Sequence, residues 1–309
     1  MLSQFDLNLD KPVAEGERQD QSESIQTVYN DGKVEKQILD CLFRGDAPAT
    51  IEDNTGVVFH NFTNARENLL NWYPFNKNAE ILEVGAGMGG LTGLLCDRVA
   101  HVTALENAPQ RADIIRMRYA EKKNLTVITG NLADIDKNSK FDYILVVGVL
   151  EYVDIGKSSG RQAHLDFLSQ VKLMLKPGGI LLLAIENRFG LKYWCGAAED
   201  HIGKPFVGIE GYKDSYTTRY QSRGVTTFDK QSLADLCKEV GLVYQRWYYP
   251  LADYKFPTAI FSDDKLPSLS DIARIKFTYP QESTLIADER ELYREIISHD
   301  VVPFFANSF

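Results

Sequence analysis

Cysteine is scarce in this chain. The four present in 309 residues (Cys41, Cys96, Cys195, Cys237) lie far apart, with no C-x-x-C pair among them. That spacing excludes a disulfide framework and a zinc ribbon, and predicts free thiols in a reducing compartment. Long apolar runs are missing too. The richest, Gly179 to Ile185, is strand-sized and far short of the ~20 residues a membrane-spanning helix needs. Positive charge is in deficit: 34 Lys and Arg stand against 43 Asp and Glu, a net charge of −9. So acidic a chain lacks the electrostatic footprint that grips nucleic-acid phosphates. Residues 1–30 hold six acids and two bases, so nearly half of that excess sits in one polar stretch. We read it as a flexible leader. Met1 to Asp6 shows neither the basic nor the apolar region of a signal peptide, and a cytoplasmic location is expected. The apolar ending, Val301 to Phe309, suggests a domain cut from a longer polypeptide.

What is present is ample material for a core: 44% of the residues are hydrophobic and 25% charged, ordinary values for a globular protein. From about Glu80, short apolar runs alternate with amphipathic stretches, the signature of βαβ units and a parallel sheet. Strands are expected at Glu80–Val84, His101–Leu105, Leu125–Thr129, Tyr143–Val147, Ile180–Ile185 and Leu242–Tyr249, with a seventh at Phe304–Phe309. Helices are expected at Leu91–Val99, from Pro109 to about Lys122, over His164–Leu175, at Asp229–Val240 and near Asp288–Ile297. A helical segment over 31–78 precedes the main domain, 79–309. Within that domain 187–226 reads as an aromatic-rich, Gly-rich lid and 251–300 as an insertion.

Glu83-Val84-Gly85-Ala86-Gly87-Met88-Gly89-Gly90 occupies the turn from the first strand to the first helix. Glycine is needed where backbone turns with positive φ and approaches a ligand closely. Gly85, Gly87 and Gly90 satisfy G-x-G-x-x-G, and Glu106 ends the second strand where a carboxylate can accept from ribose hydroxyls. Both features fit a nicotinamide dinucleotide as well as an adenosyl cofactor. Three more point to the latter: Glu83 two residues before the first glycine, Gly130-Asn131-Leu132 after the third strand, and Phe141 to Val153 followed by Leu175-Lys176-Pro177-Gly178-Gly179. With these, residues 79–186 resemble the class I S-adenosylmethionine-dependent methyltransferases.

The resemblance implies an α/β Rossmann-like fold, with a seven-stranded, mostly parallel sheet, an antiparallel last strand and helices on both faces. It also implies S-adenosylmethionine as cofactor and S-adenosylhomocysteine as product. Glu83, Gly85, Ala86, Gly87 and Gly89 would lie around the methionine part, and Glu106 with Asn107 at the ribose. Asn131, often Asp in this family, and Leu132 would frame the adenine, with Gly148 and Val149 closing the site at the end of the fourth strand.

The acceptor is less constrained. The Asn/Asp-Pro-Pro-aromatic tetrapeptide of DNA amino-methyltransferases is absent, as is the Pro-Cys nucleophile of cytosine-C5 enzymes, so no nucleic-acid partner is expected. No metal is expected either: a catechol-type site wants carboxylates clustered near the fourth and fifth strands, and the adjacent pair Asp263-Asp264 lies far downstream. Glu186 to Gly196, with Glu199-Asp200-His201, Gly208 to Tyr212 and the earlier Arg66 to Leu70, looks like methyltransferases linked to bacterial surface polysaccharides and glycosyltransferases. That implies a glycan or other small hydroxylated acceptor, and a glycosyltransferase module as partner or fusion. His201, flanked by two acids, is the expected base and Glu151 its companion in the pocket. Arg66, Glu186, Asn187, Arg188, Tyr193, Trp194 and Tyr212 are the expected acceptor-binding residues. Alternatives are N-methylation of a small molecule, a non-catalytic scaffold of the same fold, and a nicotinamide dehydrogenase.

Overall fold

A computed structural model describes residues 32–46, 55–154, 160–212, 225–277 and 285–309. The polar leader, and parts of the lid and the insertion, fall outside them. In chain order the elements are α1 (Lys33–Arg44), α2 (Thr55–Phe62), β1 (Glu80–Val84), α3 (Thr92–Arg98), β2 (His101–Glu106), α4 (Pro109–Arg118), β3 (Leu125–Thr129) and β4 (Phe141–Val147). There follow α5 (Arg161–Met174), β5 (Leu175–Ala184), α6 (Leu191–Trp194), α7 (Lys230–Glu239), β6 (Tyr248–Leu251), β7 (Ala259–Ser262), α8 (Leu269–Ile272), α9 (Glu289–Ser298) and α10 (Val302–Phe305).

Strands β1 to β5 form one parallel sheet in the order β3-β2-β1-β4-β5. The apolar runs of β1 and β4 alternate by face, as the two-residue period of a strand requires. Leu82, Val84, Ile144 and Val146 join α5 and α7 in one core through Leu165, Leu168, Leu233 and Leu236. Ile81, Tyr143 and Leu145 join α3 in the other through Leu94 and Leu95. Each such side chain, fully buried, contributes about 1.5–3 kcal/mol relative to exposure. Local sequence sets the helix ends. Pro109 opens α4 at its first position, the Asp229 side chain accepts from Ser232 N (3.0 Å) to cap α7, and Gly241 ends it at φ 81°.

Two expectations for the sheet are corrected. Among the described residues it has five strands, not seven. Leu242 to Trp247 do not extend it: Val243 and Tyr244 face solvent, and the strand that does form, β6, pairs antiparallel with β7 in a separate hairpin. Adjacent Leu242-Val243 followed by Gln245-Arg246 breaks the alternation that would bury one face. At the chain's end Pro303 opens the short helix α10. Only Asn307 to Phe309 then run antiparallel beside the exit of β5, with Phe309 N donating to Ile185 O (3.0 Å) and Asn187 N to Asn307 O (3.0 Å).

Two further clusters bring the other described elements together. Helix α1 packs on α4 through Ile38, Met88 and Ile114. A third cluster (Leu191, Cys195, Leu251, Ile272, Tyr293, Val302) joins α6 to the hairpin and the late helices.

Candidate active site

The β1–α3 turn is held from three sides. Gly85 N and Ala86 N both donate to Leu105 O, at 2.8 and 3.0 Å. Gly87 N donates to Glu106 Oε2 (2.8 Å), whose other oxygen accepts from Ala108 N (2.9 Å). Tyr119 donates to Gly89 O (2.7 Å) and Arg118 to Met88 O. Gly85, Gly87 and Gly89 all have positive φ. Their surroundings differ. A Cβ on Gly85 would sit 2.4 Å from Val149 and one on Gly89 2.8 Å from Tyr119, whereas one on Gly87 would meet nothing closer than Asn61 Oδ1 at 3.9 Å. The loop is therefore packed from beneath and open at Gly87, the shape of a cradle for a ligand approaching the backbone.

Glu83, which the resemblance assigned to the cofactor, is buried and accepts from Thr92 Oγ1 (2.6 Å), tying α3 to β1 under the loop. Burial pushes its carboxyl up to about 7, with Thr92 pulling the other way. Glu106 is raised as well: burial outweighs the two backbone donors. Its oxygens keep lone pairs for a ribose. Asn107 and Asn131 are exposed at the strand ends, while Leu132 is buried against Leu105 and Val84.

Gly148 turns the chain after β4 at φ 64°, with Tyr254 Oη and Glu151 Oε1 2.8 and 3.6 Å from where its Cβ would be. Here the ends of β4 and β5 bring Glu151 and Glu186 together, 1% and 0% exposed, and the lid adds His201. His201 Nδ1 lies 2.7 Å from Glu199 Oε1 and Nε2 3.8 Å from Glu151 Oε1. Burial works against its positive charge, yet Glu151 and Glu199 outweigh it and raise the imidazole well above its ordinary range. Burial also raises Glu151, with His201 opposing. The neighbouring carboxylates thus favour the charged form of the expected base, while burial favours the neutral form of Glu151.

Behind this trio runs a chain of buried ion pairs. Lys255 Nζ meets Glu186 Oε1 (2.5 Å) and Asp200 Oδ1 (2.9 Å). Lys192 Nζ meets Asp200 Oδ2 (2.9 Å) and Asp253 Oδ2 (2.7 Å). Burial disfavours both ammonium groups, but the carboxylates around them raise each. Tyr254 donates to Glu186 Oε1 (3.2 Å), Tyr193 to Asp200 and Tyr212 to Glu199 Oε1 (3.0 Å).

The expected acceptor-binding residues divide accordingly. Glu186 stands in the cluster, while Tyr193 and Tyr212 hold its acids in place rather than presenting free rings. Arg66 is buried beside Gly90 and Tyr254, and its guanidinium reaches Lys255 O (3.4 Å). Asn187 is engaged with backbone: its amide donates to Phe304 O and Ala306 O and accepts from Phe189 N. Arg188 pairs with Asp229 (3.3 Å), and Trp194 lies half-exposed on Phe305, so neither joins the cluster. Sequence reasoning missed Lys192, Asp253, Tyr254 and Lys255. Asp253-Tyr254-Lys255 follows β6 with no motif around it, and only the fold carries it back to β5.

A family model described as a methyltransferase domain matches residues 82–183. The ribosomal RNA small subunit methyltransferase A of Fusobacterium nucleatum is 24% identical over 188 residues, covering 53% of this chain and 70% of that protein. The ubiquinone biosynthesis O-methyltransferase of Methylocella silvestris is 32% identical over 171 residues, covering 53% of this chain and 61% of that one. Among solved structures, the complex of the Haloferax volcanii Trm112 methyltransferase activator with a putative methyltransferase aligns over 85% of this chain and 91% of that chain. Its TM-score is 0.47 and its sequence identity 15%.

Proposed function

The chain belongs to the class I S-adenosylmethionine-dependent methyltransferase superfamily, and from that premise we propose that it methylates a hydroxyl group on a glycan or other small hydroxylated acceptor. The observation that carries this reading is the placement of two groups of residues past the carboxyl ends of one parallel sheet. The open glycine turn at Gly87, bonded to Glu106, follows β1 and β2, and Glu151, Glu186 and His201 converge where β4 and β5 end. S-adenosylmethionine supplies an electrophilic methyl group on a sulfonium.

Gly85, Ala86, Gly87 and Gly89 would hold its methionine part, Glu106 and Asn107 its ribose, Asn131 and Leu132 its adenine, with Gly148 and Val149 beside the transferable methyl. An acceptor hydroxyl would be seated in line with that group. Glu151 would take the hydroxyl proton, with His201, held by Glu199, beside that carboxylate. Alignment in a water-poor pocket supplies much of the acceleration.

A small acceptor is favoured by electrostatics. Five buried carboxylates (Glu151, Glu186, Glu199, Asp200, Asp253) face two lysines at this end, a poor surface for a phosphate backbone. The same excess suits an amine, which keeps N-methylation as the second reading. A glycosyltransferase partner remains part of the glycan reading, and rests on the 186–212 resemblance. The test is turnover of S-adenosylmethionine with sugar-alcohol and amine acceptors. Glu151→Gln should retain cofactor binding and lose about 10²–10⁴-fold in turnover, as loss of general-base assistance does. Undiminished turnover in Glu151→Gln would remove its assigned role.

A further inference from the structure

We propose that Glu151, Glu186 and His201 form a divalent-cation site where β4 and β5 end. Their ligand atoms, two carboxylate oxygens and one imidazole nitrogen, lie within 4.8 Å of one another. His201 Nε2 and Glu151 Oε1, 3.8 Å apart, are too distant for a hydrogen bond. That spacing is close to what a shared ion imposes, since ligands ~2.1 Å from an octahedral centre sit ~3 Å apart when adjacent and ~4.2 Å apart when opposite. A small inward rotation of the side chains closes the rest.

Two further observations point to a ligand there. Glu151 Oε2 and Glu186 Oε2 are buried without any hydrogen-bond partner, although Lys255 and Tyr254 serve the other oxygen of Glu186. Leaving a buried carboxylate oxygen unmet is costly, and a cation aimed at by both removes the cost. His201, in turn, has the support of a metal-ligating histidine: its Nδ1 is held by the Glu199 carboxylate at 2.7 Å, which turns Nε2 towards the two glutamates.

One nitrogen with two carboxylate oxygens suits manganese or magnesium, as well as iron or zinc, and leaves positions open for water and an acceptor hydroxyl. The carboxylates that a metal site requires at the ends of the fourth and fifth strands are thus Glu151 and Glu186, rather than Asp263 and Asp264. The inference deepens the methyltransferase reading and rests on it for the role of the ion: with the ion bound, Glu151 and His201 serve as ligands, and the ion seats the acceptor oxygen and acidifies its hydroxyl in place of a proton-accepting Glu151.

Manganese chloride titrated into the full chain tests it, followed by electron paramagnetic resonance. The expected result is one bound Mn²⁺ per chain with nitrogen coupling from His201. Glu151→Gln and Glu186→Gln should lose it, Glu199→Gln should weaken it roughly 10- to 100-fold, and the exposed Asp113→Asn should leave it unchanged. S-adenosylhomocysteine binding, measured on every sample, reports folding and the methyltransferase reading separately. Wild-type protein that binds S-adenosylhomocysteine but not Mn²⁺ overturns the ion site alone, and leaves protonated His201 as the occupant. Mn²⁺ bound without nitrogen coupling, or equally by both glutamine variants, overturns it as well, and the coupling criterion holds even if those variants fail to fold.

Discussion

Glu83 ties the strand before the glycine loop to the helix after it through Thr92. Buried under the glycine loop, its carboxyl titrates near 7 rather than near 4.5. A carboxyl raised in the folded state contributes stability below the unfolded value and loses it as pH rises through the folded one. Wild-type protein should therefore lose up to about 3 kcal/mol between pH 5 and pH 8 relative to Glu83→Gln. Denaturant unfolding of both proteins at the two pH values measures this; parallel pH dependences would place the Glu83 pKa elsewhere. Lys255 makes the complementary case. Removing it as Lys255→Met leaves Glu186 and Asp200 buried with fewer partners, and a loss of about 3–5 kcal/mol is expected in the same assay. A loss under 1 kcal/mol would mean that water reaches the pair.

At the scale of elements, two asparagines tie the segment after β5 to the last described residues, the hairpin and α9. Asn187 binds the backbone of Phe304 and Ala306. Asn307 accepts from Lys192 N (2.9 Å) and donates to Ala252 O (2.9 Å) and Glu289 Oε1 (2.7 Å). Asn187→Ala should cost about 2–4 kcal/mol by leaving buried carbonyls unmet, while S-adenosylhomocysteine affinity stays near wild type. An affinity loss without destabilisation would instead make Asn187 a ligand-binding residue. This anchoring also shows what the sequence could reveal. Strands β1 to β5 and the glycine turn were legible because each is a local pattern: apolar runs of strand length, a glycine at each positive φ of the turn, proline and aspartate at helix starts. Leu242 to Tyr249 and the last strand misled because apolar residues alone do not provide a ladder partner. Asn187 looked like a sugar-binding residue for a related reason: its partners lie more than a hundred residues away in the chain.

For the whole molecule, the paucity of cysteine acquires a structural meaning. Burial pushes the thiols of Cys96 and Cys195 up to about 12 and that of Cys237 to about 11. They serve as small apolar filling, Cys195 within the cluster that joins α6 to the hairpin. Five buried acids (Glu151, Glu186, Glu199, Asp200 and Asp253) are likewise gathered past the ends of β4 and β5. Sequence could name His201, Glu151 and Glu186 one by one, but their convergence depends on β4, β5 and the lid meeting at one edge of the sheet. The hairpin lysine completing the set bears no local mark. The central claim is that the cradle at Gly87 and Glu106 holds the adenosyl cofactor. Calorimetry with S-adenosylhomocysteine tests it most directly: one molecule should bind per chain, with Glu106→Ala weakening it by about tenfold or more, the worth of a charge-assisted hydrogen bond. Absence of binding to the folded wild-type chain, or affinity unchanged in Glu106→Ala, would contradict the account.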